Sequence, residues 1–300
     1  NAPDHNGGLA TGDYVEIFEV GPRDGLQNEP NIIETHQKIT LIDLLSQAGF
    51  RRIEVASFVS PKWVPQMGDS ADVLARITRA PGVSYAALTP NMQGFERAMA
   101  AKADEIAIFG SASEGFSQAN INCSITESIE RFKPIFRASS AANVKVRGYI
   151  SCVTDCPYDG ATSPIQVVAV AKALRDMGCY EISLGDTLGR ATPASIAKML
   201  DAVLTEIPAT QLAGHFHDTA GRALDNVSVA LDRGIRVFDA AIAGLGGCPY
   251  APGASGNVAT ERVNTMLKAA GYRTGLDARI LDQAAVQARS LRRPPLEIGV

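Results

Sequence analysis

Short apolar runs, often rich in β-branched residues, alternate along this chain with longer segments whose apolar positions recur at helical spacing. The short runs predict strands near residues 14–20, 52–56, 83–88, 104–109, 144–150, 179–184, 211–216 and 236–240. The longer segments predict helices near 33–48, 69–79, 92–101, 125–142, 164–177, 193–205, 220–233, 257–270 and 277–291. These assignments rest on the strand period of two and the helix period of about 3.6.

The order of these elements predicts an α/β fold, a (β/α)8 TIM barrel with additional C-terminal helices. Eight strands are each followed by a helix, and no linker rich in Pro or Ser divides them. An open doubly wound sheet is the alternative, but it needs a GxGxxG turn after an early strand, and GPRDGL does not match that pattern. We expect residues 1–13 to be a flexible leader and residues 14–300 to form one barrel domain.

Composition excludes several classes of function. The net charge of −4 gives no reason to expect binding to nucleic acid or to an anionic membrane surface. No apolar run approaches the roughly 18 residues of a spanning helix. The five cysteines are odd in number and irregularly spaced, which predicts free thiols in a reducing compartment rather than a disulfide framework.

Polar residues of different chemistry follow the predicted strands at one end of the barrel, which is where TIM barrels carry their active sites. They include residues after strands one, two, six, seven and eight, namely Arg23, Asp24, Glu54, Asp186, His215, His217 and Cys248. A catalytic rim at this end is therefore expected.

The segment His215-Phe216-His217 is the strongest local signal for a metal. Side chains two apart on a strand point the same way, so both imidazoles can face one ion. Asp24 can add an oxygen ligand, because strand one neighbours strand eight in a closed barrel. Two histidines and a carboxylate leave positions open for substrate, and Mg²⁺, Mn²⁺, Fe²⁺ or Zn²⁺ all remain compatible. The alternative is a pair of structural histidines that cap the strand.

The glycine-rich segment GLGGCPYAPGASGN, residues 244–257, is predicted to be a long loop without secondary structure. We interpret it as a mobile lid that carries the Cys248 thiol over the site, where a thiol can transfer a proton. A plain surface connection is the alternative. Spacing alone indicates that Asn257 is the N-cap of the next helix.

Arg23, Glu54 and Asp186 each have two interpretations. Arg23 can be part of a structural ion pair, or it can stabilise an enolate or carboxylate beside the metal. Glu54 and Asp186 can anchor other site residues or act as general bases.

Five segments together carry a resemblance to a known family. They are FEVGPRDGLQNE, IEVASFVSPKWVPQM, SLGDTLG, GHFHDT and GLGGCPYAPGASGNVATE. In this order, over about residues 14–291, the chain resembles the 3-hydroxy-3-methylglutaryl-CoA lyase family. The Arg–Asp pair and the HxH pair alone indicate only its superfamily of metal-dependent lyases and Claisen-condensing TIM barrels. The segments SFVSPKWVPQM and CPYAPGASGN narrow the resemblance to the lyases.

The resemblance implies cleavage of 3-hydroxy-3-methylglutaryl-CoA to acetyl-CoA and acetoacetate with Mg²⁺ or Mn²⁺. It implies metal ligation by Asp24, His215, His217 and Asn257, so that Asn257 is a ligand rather than an N-cap. It further implies the following roles: Arg23 as electrostatic stabiliser, Cys248 as acid/base, Glu54 and Asp186 as essential supports, and Asn120 as a contact to the acyl-CoA. Asp186 or His215 is the candidate base. Asp186 is preferred because a nitrogen that binds the metal cannot accept the proton.

The sequence also departs from the family. Arg262 stands where members more often carry an aspartate, and Pro30 stands where some carry a lysine. Two other activities stay open: a lyase for a different branched 3-hydroxyacyl-CoA, and a Claisen-condensing synthase, for whose regulatory domain the chain is short. A non-catalytic relative is a further alternative. We expect an acyl-CoA partner, a homodimer or higher homo-oligomer, and a cytoplasmic bacterial-type enzyme or, in a eukaryote, a mitochondrial matrix enzyme.

Overall fold

Eight parallel strands close into a barrel. The structure, a computed structural model, describes residues 12–248 and 251–292, without the side chains of 248 and 251–254. The barrel strands are β1 (Glu16–Glu19), β2 (Arg52–Ser57), β3 (Ser84–Leu88), β4 (Glu105–Ser111), β5 (Val146–Ser151), β6 (Glu181–Asp186), β7 (Leu212–Phe216) and β8 (Val237–Ala240). Each strand pairs with its neighbours in sequence, and β1 pairs with β8. The predicted TIM barrel is confirmed.

Helices follow the strands and cover the barrel. They are α1 (Thr35–Leu45), α2 (Ser70–Arg76), α3 (Met92–Ala100), α4 (Glu114–Ile121), α5 (Ile125–Ala141), α6 (Pro164–Met177), α7 (Pro193–Val203), α8 (Ala223–Asp232), α9 (Thr260–Ala269) and α10 (Ala278–Leu291). The sequence pattern did not predict α4, which is mostly polar. Its signal is the cap: Ser113 accepts a hydrogen bond from the backbone of Phe116, and Asn122 ends the helix in the left-handed conformation.

The seam between the first and last strands places both halves of the site together. Strand β1 pairs in parallel with β8, from Glu16 opposite Val237 to Glu19 opposite Ala240. At the end of the seam, the buried Glu19 carboxylate accepts hydrogen bonds from Gly21 N (2.8 Å), Ile242 N (3.0 Å) and Thr260 Oγ1 (2.7 Å). One carboxylate therefore joins the exit of β1, the exit of β8 and the first turn of α9.

Alternate strand residues face the helices or the barrel interior, and the interior holds a ladder of charges. Arg52 binds Glu16 (2.6 Å) and Glu181 (2.9 Å). Arg147 binds Glu181 (2.7 Å) and Asp239 (2.7 Å). Each of these side chains is largely buried, and removing one partner of such a pair costs about 3–5 kcal/mol of stability because a charge is left uncompensated.

The glycine-rich segment after β8 has more structure than the sequence predicted. A 3₁₀ turn, Ile242–Gly244, is followed by an antiparallel hairpin of Gly247–Cys248 with Ala251–Ser255. Residues 249–250 at its tip lie outside the described part of the chain. Backbone pairing needs no particular side chains, which is why a segment of small residues carried no strand period.

The cysteines agree with the sequence prediction where they are described. Cys123, Cys152, Cys156 and Cys179 are buried free thiols, whereas the side chain of Cys248 lies outside the described residues. None of the described helices is long and apolar enough to cross a bilayer. Of the predicted leader, residues 1–11 also fall outside the description, so the boundary at residue 13 stays a prediction.

Candidate active site

A cavity of about 440 Å³ opens at the carboxyl ends of the strands. Several of its polar lining residues come from the β1 exit, β5 and the β7 exit, namely Arg23, Asp24, Tyr149, His215 and His217. The segment after β2 and helix α4 also line the cavity. The strand ends thus bring together residues from distant parts of the chain, as the barrel prediction required.

The Arg23–Asp24 pair lies on one tight turn, Gly21–Gly25, directly after β1. The backbone amides of Arg23, Asp24 and Gly25 all lie within 3.2 Å of the Val20 carbonyl, in a π-helical turn. A Cβ atom on Gly25 would lie 2.7 Å from Cβ of Leu245, which is closer than real Cβ contacts occur. The flanking glycine therefore lets the turn pack against the chain that leaves β8.

The Arg23 guanidinium is oriented by a buried partner on β2. Its Nε donates to Oε1 of Glu54, whose other oxygen accepts the Tyr149 hydroxyl at 2.9 Å. The Tyr149 ring also packs against the guanidinium, with the Arg23 Cζ atom 5.3 Å from its centroid. Burial raises the pKa of Glu54, although the charge of Arg23 opposes that effect. The predicted support role of Glu54 thus has a direct contact, and Tyr149 is a member of the site that the sequence analysis missed.

Asp24, His215 and His217 form one cluster. Each offers a ligand atom, and these atoms lie within 4.8 Å of one another. Oδ2 of Asp24 is 3.4 Å from Nε2 of His215 and 2.9 Å from Nδ2 of Asn257. Asn257 is buried, and helix α9 begins only at Thr260, so Asn257 is not its N-cap. Spacing alone was therefore wrong for Asn257.

The donor set of this cluster fits a divalent cation. Nδ1 of His217 is buried without a hydrogen-bond partner, as expected of a nitrogen reserved for an ion. Burial and the neighbouring His215 lower the pKa of His217 to about 4, so its imidazole is neutral. Two imidazoles, a carboxylate and an amide that can turn its oxygen inward suit a borderline or hard divalent ion.

His215 is the more constrained of the two histidines. Burial alone would lower its pKa, but hydrogen bonds from its ring to Asp239 and Asp24 raise that pKa to about 9. Its Nδ1 lies 2.9 Å from Oδ2 of Asp239, the carboxylate at the end of the interior ladder. The sequence analysis did not identify Asp239. The available signal was a charged residue at an alternate position of an apolar strand.

Asp186 faces away from the cavity. On β6, Glu181 and Ser183 point into the barrel, whereas Ile182 and Leu184 pack in the outer apolar core. Asp186 shares the outward direction, and its Oδ2 accepts a hydrogen bond from Ala191 N at 3.1 Å. Burial raises its pKa to about 6. The carboxylate therefore holds the segment that follows β6, while its neighbours Gly185 and Thr187 line the cavity.

The two remaining predicted residues lie on the hairpin after β8 and on α4. The backbone of Cys248 belongs to the hairpin after β8, and its side chain is outside the described residues. Asn120 is exposed on α4 and lines both the main cavity and a second one of about 660 Å³. Trp63, the only tryptophan, lines both cavities as well and is 85% exposed. This second cavity is also lined by Arg131 and Phe132.

The two departures from the family pattern are both at the surface. Arg262 donates to Asp218 at 2.7 Å, next to the His217 ligand position, so its positive charge has a partner. Pro30 is exposed and borders a separate polar cleft. Neither residue lines the main cavity.

Comparisons with known proteins agree with this site. The HMGL-like family model matches residues 14–286. Mitochondrial hydroxymethylglutaryl-CoA lyase of Bos taurus is 57% identical over 280 residues, 93% of this chain and 86% of that protein. Cytoplasmic 3-hydroxy-3-methylglutaryl-CoA lyase of Danio rerio is 58% identical over 264 residues, 88% of this chain and 79% of that protein. The solved structure of HMG-CoA lyase from Brucella melitensis is 57% identical with a TM-score of 0.93, and the match covers 94% of this chain and 100% of that one. The resemblance found in the sequence is confirmed, and the chain belongs to the HMGL-like family, in its hydroxymethylglutaryl-CoA lyase group.

Proposed function

We propose that this chain cleaves 3-hydroxy-3-methylglutaryl-CoA to acetyl-CoA and acetoacetate. The observation that carries the proposal is the placement of the Arg23 guanidinium beside the Asp24–His215–His217 cluster in one cavity. In the reaction the C2–C3 bond breaks, the 3-hydroxyl carbon becomes the ketone of acetoacetate, and C2 takes up a proton to become the methyl group of acetyl-CoA.

The divalent ion would be held by Asp24, His215 and His217. Asn257 would join them once its side-chain amide rotates so that the oxygen faces the ion. When bound, a Mg²⁺ or Mn²⁺ ion supplies Lewis-acid polarisation of substrate oxygens and lowers the pKa of a hydroxyl group. The protein keeps the three ligand atoms within 4.8 Å of one another. It leaves the side that faces the cavity open for substrate.

Arg23 stabilises the negative charge that moves onto the thioester enolate as the C2–C3 bond breaks. Glu54 and Tyr149 hold its guanidinium on the second and fifth strands, so no reorganisation is needed when that charge develops. Neither group predicted as the base is free to accept the hydroxyl proton. Asp186 faces outward, and both ring nitrogens of His215 face carboxylates. We therefore assign that proton to solvent in the cavity.

Replacing Asp186 with Asn is expected to keep kcat within about 10-fold of wild type, because the amide oxygen can still accept the Ala191 hydrogen bond. Asp186→Ala, which cannot, should lower kcat further. A base with a pKa of about 6 would lose its activity as pH falls through 6, and Asp186→Asn would then remove that acidic limb. Rate–pH profiles of both variants distinguish these two roles. If Asp186→Asn lowers kcat by 10²-fold or more and also loses the acidic limb of the profile, Asp186 is the base.

Cys248 delivers the proton to C2. The resemblance of its segment, CPYAPGASGN, to the lyase family supports this role, and the backbone of Cys248 lies in the hairpin after β8. Cys248→Ser should lower kcat by about 10²–10⁴-fold, the usual contribution of a positioned acid, because a hydroxyl is a far weaker acid than a thiol. Binding of Mn²⁺, measured by calorimetry, should stay unchanged. An unaltered kcat would exclude the proton-transfer role.

The second cavity, which Trp63 lines, accommodates the coenzyme A portion. Addition of coenzyme A should shift the Trp63 fluorescence to shorter wavelength as the exposed indole becomes covered. Trp63→Ala should raise KM for the acyl-CoA by about 3- to 10-fold, since aromatic packing contributes roughly 0.5–1.5 kcal/mol. Tyr158→Ala is the matched control, because Tyr158 is 57% exposed but lines neither cavity. Equal effects of the two variants, or no spectral shift, would contradict this placement.

The activity itself is tested by incubating the protein with Mg²⁺ or Mn²⁺ and 3-hydroxy-3-methylglutaryl-CoA while following acetoacetate. No product at micromolar enzyme would refute the proposal. Product from another branched 3-hydroxyacyl-CoA only would select the neighbouring lyase activity. Condensation of acetyl-CoA with an oxo acid as the main reaction would select a synthase.

We also propose a homodimer or a larger homo-oligomer, located in the cytoplasm of a bacterium or in the mitochondrial matrix of a eukaryote. One curated relative is named as mitochondrial, in Bos taurus, and another as cytoplasmic, in Danio rerio, which supports the two kinds of compartment but not a bacterial source. Light scattering on the purified protein measures the assembly, and a monomer at micromolar concentration would contradict it.

A further inference from the structure

His215 is held from the side opposite the cavity. Its Nδ1 lies 2.9 Å from Oδ2 of Asp239, and its Nε2 lies 3.4 Å from Oδ2 of Asp24 on the cavity side. The Asp239 carboxylate is fully buried, whereas Asp24 is partly exposed at the cavity. The two nitrogens of one ring therefore have different surroundings, one in the barrel interior and one at the proposed ion.

Asp239 is itself fixed by donors from two other strands. Both of its oxygens accept hydrogen bonds from Arg147, at 3.0 and 2.7 Å, and Oδ2 accepts a third from Ser183 at 2.7 Å. Arg147 lies on β5, Ser183 on β6 and Asp239 on β8, which places the carboxylate on rigid elements around β7. A carboxylate that accepts two hydrogen bonds from a guanidinium and a third from a hydroxyl group is held as an ionised acceptor.

We propose that Asp239 is the positioning residue of the metal centre: it keeps the proton of His215 on Nδ1, so that Nε2 is the nitrogen that binds the divalent ion. The inference rests on the proposed metal site and adds a residue to it. An ionised carboxylate at 2.9 Å can only accept, so the facing nitrogen must carry a hydrogen. A carboxylate in this position fixes the ring and makes the ligand more basic, and its loss typically weakens metal affinity by about 10- to 100-fold.

Glu181 provides a matched control. It is a buried carboxylate that also binds Arg147, at 2.7 Å, but it lies one step further along the ladder, and its ion-pair partners among the described residues are Arg147 and Arg52 rather than His215. Asp239→Ala and Glu181→Ala each remove one ion-pair partner of Arg147. Only the change at Asp239 also removes the acceptor of His215 Nδ1.

The test measures Mn²⁺ affinity by calorimetry in the absence of substrate. Asp239→Ala should lose about 10- to 100-fold, Glu181→Ala less than about 3-fold, and Asp239→Asn, which keeps one acceptor oxygen, should recover part of the loss. Thermal melting of each variant checks that the barrel is folded. Equal losses in Asp239→Ala and Glu181→Ala, or none in Asp239→Ala, would overturn the positioning role. If wild type binds no Mn²⁺, the metal site itself is refuted.

A measurement without any substitution covers the case in which Asp239→Ala does not fold. The chain has four histidines, so ¹⁵N-histidine labelling gives few ring signals. In the wild type with Mg²⁺, His215 should show a protonated Nδ1 and a Nε2 without hydrogen. The reverse pattern, with the hydrogen on Nε2, would overturn the proposal.

Discussion

Replacing His217 with alanine is expected to weaken Mn²⁺ binding by more than the roughly 10- to 100-fold that loss of an outer partner of a ligand causes. The reason is that the imidazole of His217 is neutral and its buried Nδ1 has no hydrogen-bond partner. No hydrogen bond therefore competes with a cation for this nitrogen. Turnover at micromolar Mn²⁺ should fall with it and recover in part at millimolar Mn²⁺.

The matched control is His36→Ala, because His36 is exposed on α1 and is not part of the cavity lining. It should leave Mn²⁺ affinity, measured by calorimetry, within error of wild type. Stoichiometric Mn²⁺ binding with unchanged affinity in His217→Ala would show that His217 is not a ligand.

Replacing Arg23 with methionine is expected to lower kcat by about 10²–10³-fold or more, the cost of removing one preorganised donor to a developing oxyanion. Methionine keeps much of the side-chain volume but removes every donor. The buried Glu54 would then lose its cation, and its pKa would rise further above its ordinary range, so that it becomes protonated rather than charged. Stopped assays of acetoacetate release with saturating acyl-CoA measure kcat.

Arg23→Lys separates charge from geometry. Lysine keeps the positive charge but cannot bind Glu54 and face the substrate with one planar group, so it should recover only part of the lost rate. Mn²⁺ affinity should change little in either variant, since Arg23 contacts Asp24 through Oδ1 while Oδ2 faces His215. A kcat of Arg23→Met within a few-fold of wild type would exclude the stabilising role.

The barrel could be predicted because eight strand patterns alternate with helix patterns, and closure of such a chain follows from that order. The proximity of Asp24 to the two histidines could also be predicted. Residues 215 and 217 share one face at the end of β7, and only β8 separates β7 from β1 in the closed barrel. The inner ladder could not be predicted in the same way, because β5 and β8 are not adjacent strands and Arg147 meets Asp239 across the barrel interior.

Two residues show why spacing was insufficient at the rim. Asn257 was three residues from the first turn of α9, and only the crossing of the hairpin exit with the β1 turn placed its amide 2.9 Å from Asp24. Asp186 was predicted to follow a strand ending at 184, but β6 continues to Asp186 itself. Because faces alternate along a strand, that extension determines which side of the barrel its carboxylate occupies.

By itself, the sequence determined the repeating order of strands and helices, the shared face of His215 and His217, and the resemblance to the lyase family. These are local properties, carried by the period of apolar residues and by short motifs. Only the tertiary structure decided which side chains are partners: Glu54 and Tyr149 for Arg23, and Asp239 for His215. Side chains from different strands meet inside a barrel through the register of the strands, and register is a property of the closed sheet that no single segment carries.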